Sequence, residues 1–178
     1  MNSFALFTDV SLNPELRCGV GAYLVIPASM LQASPYSIDK TVVDKHVVVR
    51  RFENTTSTRL ECQTVVWALE EYQNTCGPSE ADRLQVYTDS QGIAGLLRRR
   101  QALELKGFRA KRSNLQVKNA ALYRAFYEFS DMLGFEIIKV PGHSRYHSHD
   151  AVGRIFSFVD RKARKALNLW MDEIKFRS

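Results

Sequence analysis

The chain has 178 residues, 45% of them hydrophobic, and 25 Lys+Arg against 19 Asp+Glu give a net charge of +6. This balance excludes an acidic solvating tail and a disordered polyampholyte. It supplies apolar material for one compact domain over residues 1–178 and points to a polyanionic partner. Three cysteines, Cys18, Cys62 and Cys76, are too few and too scattered for a disulfide framework. No apolar run approaches the roughly 20 residues of a membrane helix, and the N-terminus reaches Asp9 without the basic region of a signal peptide. The expectation is a soluble cytoplasmic domain.

In chain order, Phe4–Thr8 reads as a first strand that ends in a loop at Asp9, and Gly19–Pro27 as a second. Pro27–Lys45 lacks a clear period and is expected to be a long connection with room for part of a strand. His46–Glu53 reads as a third strand, and short links make the three an antiparallel meander. The period then changes. Thr58 and Glu61 match a capping box, followed by Val65, Ala68, Leu69 and Tyr72 at helical spacing up to Gly77-Pro78. Arg83–Thr88 is a fourth strand, and Asp89-Ser90 can cap a helix carrying Ile93, Leu96 and Leu97. Leu115–Leu133 reads as a helix stopped by Gly134, Phe135–Val140 as a fifth strand, Gly142–Asp150 as a polar loop, and Val152–Trp170 as a last helix. The order β-β-β-α-β-α-α-β-α predicts an α/β fold with a five-stranded mixed sheet, antiparallel over its first three strands, then parallel, flanked by helices.

Charge is concentrated. Eight basic residues between Arg98 and Lys118, opposed only by Glu104, carry +7, so the rest of the chain sums to −1. One charge run alone reads as a solvated helix face, but a local excess larger than the chain's whole net charge shifts the reading toward phosphate binding. The interleaved Leu103, Leu105 and Phe108 argue against a disordered arm. Arg161, Lys162, Arg164 and Lys165 form a second basic group.

Several acidic residues have ordinary local explanations. Asp9 can serve a turn, Glu61 the capping box, Asp89 a helix cap, and Asp160 an i,i+4 pair with Arg164. Taken together they say more. Ligands of α/β sheets gather at the carboxyl ends of strands, and Asp9 and Asp89 would converge there if the first and fourth strands run parallel and adjacent. Clustered carboxylates repel one another unless a cation neutralises them. An all-oxygen site suits Mg²⁺ or Mn²⁺ rather than zinc. His143, His147 and His149 have no nearby cysteine and read as a solvated loop rather than a zinc site.

The segments Phe7-Thr8-Asp9-Val10-Ser11, Thr58-Arg59-Leu60-Glu61, Tyr87-Thr88-Asp89-Ser90-Gln91 and Pro141-Gly142-His143-Ser144 occur in that order. They resemble the Thr-Asp-Gly-Ser, Asn-Arg-x-Glu, Thr-Asp-Ser-Gln and Lys-Gly-His-Ser signatures of type 1 ribonuclease H. The resemblance spans Phe4 to about Leu167. It implies a ribonuclease H-like fold and hydrolysis of the RNA strand of an RNA–DNA hybrid with two Mg²⁺ or Mn²⁺ ions, leaving 5′-phosphate and 3′-hydroxyl ends. No membrane or obligate protein partner is expected, and the chain is expected to be a monomer.

Residue by residue, the resemblance makes Asp9, Glu61, Asp89 and Asp160 the metal-binding and catalytic carboxylates, with Asp150 the rival for the fourth place. It makes His143 the loop histidine assisting product release or proton movement. Ser11, Asn13, Thr58, Gln91, Lys118 and Asn119 fall at substrate-contacting positions, and Arg109 lies in what looks like the family's basic protrusion. Val10 stands where the family has glycine, Thr58 where it commonly has Asn, and the loop from His143 to Asp160 is longer than in the commonest form. A non-cleaving hybrid-binding module and a related nuclease of the same fold with another nucleic-acid substrate are the alternative readings.

Overall fold

The computed structural model describes residues 2–76, 83–141 and 150–177. Strands β1 (Ser3–Asn13), β2 (Cys18–Pro27), β3 (Val48–Phe52), β4 (Arg83–Thr88) and β5 (Glu136–Lys139) form one sheet in the order β3-β2-β1-β4-β5. β2 pairs antiparallel with β1 and β3, whereas β1–β4 and β4–β5 are parallel. This is the mixed sheet that the element order predicts.

Strand alternation sorts β1 between two cores. Ala5 and Phe7 pack with Ile155, Phe158 and Val159 of helix α6 (Ala151–Arg177). Leu6 packs with Val65 and Leu69 of helix α2 (Ser57–Cys76) and Phe126 of helix α5 (Ala120–Leu133). Thus α6 covers one face of the sheet, and α2 with α5 covers the other. On β2, Gly19 and Gly21 let α2 come unusually close. A Cβ on Gly19 would stand 2.5 Å from Leu60 Cδ2, and one on Gly21 would stand 2.1 Å from Thr64 Oγ1.

Several local expectations need correction. β1 does not end at Asp9. It continues to Asn13 because β2 keeps pairing it, from Asp9↔Ala22 to Asn13↔Cys18. The 27–45 connection holds no strand. It folds into two 3₁₀ turns and helix α1 (Lys40–His46), whose N-cap Asp39 accepts from the Thr41 amide. Ile38, Val43 and Val47 of this excursion are buried in the core beneath α6. Because α2 starts at Ser57, Thr58 lies within its first turn and is not its cap.

The single helix expected after Asp89 is two, α3 (Gln91–Ala94) and α4 (Leu96–Leu105), and the residue that caps α3 is Ser90 rather than Asp89. α5 begins at Ala120, not Leu115. The preceding residues form turns, tied by an Arg109–Gln116 bridge, with Phe108 and Asn114 at positive φ. The last helix, expected over Val152–Trp170, runs over Ala151–Arg177 and so takes in most of the long stretch between His143 and Asp160; Asp150 Oδ1 accepts from the Gly153 amide at 2.6 Å and starts it. All three cysteines are free, and no described helix is long and apolar enough to cross a membrane.

Candidate active site

The parallel β1–β4 ladder closes with Phe7 opposite Tyr87, whose rings stack at 4.7 Å. β4 then ends at Thr88 while β1 continues with β2 alone. The sheet therefore opens just beyond the stacked rings. Asp9 and Asp89 stand two residues past that last pair, at equivalent register on the two sides of the opening. Sheet order alone produces this convergence.

Asp9 is only 8% exposed. Burial, and then the charges of Asp89 and Asp160, push its carboxyl up from 3.8 to about 8, against a smaller opposing effect of a hydrogen bond from the Val10 amide. Asp160 reaches it from α6 and shares a hydrogen bond with it. This fits the alternation of β1, which turns Asp9 toward the same face as Phe7. Asp160 also pairs with Arg164 at 2.8 Å. Val10 remains in strand geometry opposite Gly21, so valine in place of the family's glycine leaves the backbone beside Asp9 extended.

Glu61 comes from α2, on the opposite face of the sheet. Ser90 Oγ donates to its Oε2 at 2.5 Å, and Ser57 Oγ lies 3.4 Å from its Oε1. Thr8, Asp9, Val10, Glu61, Thr64, Thr88, Asp89 and Ser90 line one cleft. Thr64 Oγ1 is buried there without a hydrogen-bond partner among the described residues. The carboxylates do not close into a cage: among the described residues, no three His, Cys, Asp or Glu side chains stand close enough together to hold one ion. Asp9 and Asp160 meet on one face of the sheet, whereas Glu61 enters from α2 on the other. Asp150, the rival for the fourth place, is an exposed helix cap, whereas Asp160 touches Asp9. His143 lies outside the described residues.

The remaining sequence-derived site residues are dispersed. Ser11 follows Asp9 on the same side of β1 and is half-buried. Asn13 is engaged within the protein: its Oδ1 accepts from Leu16 N at 3.0 Å and its Nδ2 donates to Met171 Sδ at 3.2 Å. Thr58, Gln91 and Lys118 are exposed, while Asn119 is half-buried just ahead of α5. Arg109 is exposed and donates to the Asn114 carbonyl at 2.8 Å. Part of the +7 segment is internally occupied. Arg100 pairs with Glu104 and with both oxygens of Asp131, and Arg99 donates to the carbonyls of Gly92 and Gly95. Arg98, Lys106, Lys111, Arg112 and Lys118 are exposed.

Sequence reasoning took Ser90 only as a capping residue and missed its bond to Glu61. It also missed the roles of Gly19 and Gly21, whose only trace in the sequence is a glycine at alternate positions of a strand.

The sequence profile of the RNase H family matches residues 1–167. The chain belongs to the RNase H family. Among curated proteins, none matches the chain by sequence. Among solved structures, this RNase H family chain is similar to LC9-RNase H1, described as a type 1 RNase H with the type 2 active-site motif; the TM-score is 0.65, the identity 19%, and the match covers 93% of this chain and 72% of that one. It is also similar to the foamy viral protease-reverse transcriptase. In the complex with dsDNA the TM-score is 0.61 and the identity 13%, covering 92% of each chain. In the complex with an RNA/DNA hybrid they are 0.59 and 12%, covering 92% of this chain and 19% of that one. At these identities the likeness establishes the ribonuclease H-like fold.

Proposed function

We propose that this RNase H family chain is a metal-dependent endonuclease that hydrolyses the RNA strand of RNA–DNA hybrids and leaves 5′-phosphate and 3′-hydroxyl ends. The observation that carries the reading is the convergence of carboxylates at the opening between β1 and β4: buried Asp9 beside Asp89, Asp160 reaching it from α6, and Glu61 lining the same cleft. Burial and the neighbouring charges push the Asp9 carboxyl up to about 8. Such a group is anionic charge awaiting neutralisation. A proton supplies that in the bare chain, and a divalent cation fits the same place. The donor set of Asp9, Glu61, Asp89 and Asp160 is all oxygen, which suits Mg²⁺ or Mn²⁺.

Two divalent ions bound there would supply an activated water and charge stabilisation of the leaving 3′-oxygen. The chain's own residues supply position and charge. Asp9 is held rigid inside a strand, with Asp89 beside it and Glu61 and Asp160 entering from the two faces. The exposed Lys118 and its basic neighbours take phosphates without reading sequence. Ser11, Asn13, Thr58 and Gln91 are proposed for the minor-groove side of the hybrid, where 2′-hydroxyls distinguish RNA from DNA, and Asn119 for the basic side beside Lys118. Arg109 belongs to the basic phosphate-binding side, and His143 would move a proton or assist product release.

A metal titration with labelled RNA–DNA hybrid, duplex DNA and duplex RNA tests the reading. The expected result is cleavage of the hybrid alone, dependent on Mg²⁺ or Mn²⁺ and abolished by a chelator. Hybrid binding without cleavage at every metal concentration would identify a non-cleaving binding module instead. Cleavage of duplex DNA would identify a related nuclease with another substrate.

A further inference from the structure

Glu61 is a carboxylate on a long side chain with three rotatable bonds, half-buried at the edge of α2. Left alone, it would sample several rotamers, and a ligand that must be ordered before it can bind weakens the site. The structure shows what orders it. Ser90 Oγ lies 2.5 Å from Glu61 Oε2 and 3.2 Å from the Ile93 amide nitrogen. The Ile93 N–H can only donate, so it occupies a lone pair of the Ser90 hydroxyl and cannot take its proton. Glu61 as a carboxylate can only accept, so the single hydroxyl proton goes to Oε2. The separation lies in the range of a charge-assisted O–H···O⁻ bond. Ser90 is itself held, because it is buried and its amide donates to Thr88 Oγ1 at 3.1 Å. Direction and position are both determined: Ile93 N–H to Ser90 O–H to Glu61 Oε2.

We infer that Ser90 is the positioning residue for Glu61, occupying its Oε2 so that Oε1 is the oxygen offered to a divalent cation. This rests on the reading of Glu61 as a metal ligand and deepens it. Ser90 acts through Glu61 and not on substrate. It also couples the carboxylate to the strand end that carries Asp89, since Ser90 is the next residue in the chain. Two ligands from opposite sides of the cleft, α2 and β4, are thereby held at a constant separation. Among the described residues, the other bond to this carboxylate, from Ser57 to Oε1, is long at 3.4 Å and is readily surrendered.

Binding of Mn²⁺ to the full chain, followed by calorimetry without substrate, tests this. Loss of an outer hydrogen bond to a ligand costs roughly 10-fold in metal affinity, so Ser90→Ala should bind Mn²⁺ about 10-fold more weakly. Ser90→Thr, which keeps the hydroxyl, should stay within about threefold of the parent. Ser90 also caps α3, and a cap lost from Ser90→Ala lowers stability by itself. The separating measurement is the double-mutant cycle with Glu61→Ala. If Ser90 works through Glu61, Ser90→Ala adds nothing to Mn²⁺ affinity in the Glu61→Ala background; if it only caps the helix, the same loss recurs there. An unchanged affinity in Ser90→Ala, or an additive cycle, overturns the inference while leaving the nuclease reading intact. Failure of the unmutated chain to bind Mn²⁺ overturns both.

Discussion

The acidic edge around Asp9 and the basic stretch from Arg98 to Lys118 carry opposite charges, and they are built in opposite ways. Asp9 lies inside a strand and is 8% exposed, and Asp89 directly follows a largely buried strand. Asp160 and Glu61 are delivered by the two long helices. The basic residues lie on α4 and on turns, and most of them face solvent. Burial makes a carboxylate's charge costly and therefore ready to be traded for a cation. Exposure leaves a cation hydrated, adaptable and screened by salt. One region is suited to chemistry at a fixed point, the other to holding a polyanion without reading its sequence.

The largest expected effect breaks the acidic side alone. Asp9→Asn should lower hybrid cleavage by at least roughly 10³-fold while leaving hybrid affinity within a few-fold, as measured by gel shift in a chelator. Cleavage that survives with added Mg²⁺ would remove Asp9 from the centre of the site. Next comes the choice of fourth carboxylate. Asp160→Asn should cost far more activity than Asp150→Asn, whose effect should be confined to the start of α6; the reverse order would make the cap the ligand.

The third prediction concerns pH. The Asp9 carboxyl titrates near 8 in the folded chain against 3.8 ordinarily. Below 3.8 both folded and unfolded chains hold the proton, and Asp9 imposes no penalty. As pH rises from there to about 8, the unfolded chain releases the proton while the folded one retains it, so stability falls; beyond about 8 the loss is complete. In a chelator, Asp9→Asn should therefore be more stable than the parent at pH 9 by a few kcal/mol, or roughly 10 °C in Tm. The gain should shrink toward pH 4. Calorimetric melts at both pH values check this, and equal melting at pH 9 would mean that folding does not raise the Asp9 carboxyl.

The smallest effects sharpen the basic side. Lys118→Ala should weaken hybrid binding and reduce the salt dependence by about one counterion in a titration of log K against log[salt]. Arg100→Ala should barely change that slope, because Asp131 and Glu104 already occupy its guanidinium. Its cost should appear instead as less than about 1 kcal/mol of stability, as expected for an exposed ion pair. Equal slope changes for the two variants would mean that the Arg100 pairs open on binding.

What could be read from the chain follows the range of the interactions involved. Strand and helix positions, and the motifs around Asp9, Glu61 and Asp89, rest on neighbours within a turn or a pleat. The element order then predicts the sheet in which Asp9 and Asp89 meet. Misreadings occur where a distant partner decides. β1 passes Asp9 because β2 remains beside it, and the α1 segment is helical where it packs beneath α6. Arg100 counted as free charge, yet one of its acids lies 31 residues away. The bond from the Asn13 amide to Met171, 158 residues distant, is equally invisible locally. Ser90 looked complete as a cap, and nothing local reveals that its proton reaches α2.

The absent side chains at Gly19 and Gly21 set a mechanical gauge. They let Leu60 and Thr64 of α2 pack directly on the sheet backbone, on either side of Glu61, so the height of that helix also sets the distance between two carboxylates from different layers. A methyl group at Gly21 would meet Thr64 at 2.1 Å and would lift α2 like a shim under one leg of a table. The resulting error would appear at the far edge, as a misplaced ligand. A substitution at a residue that bears no charge itself would thus reach the ion-binding edge as well as the core.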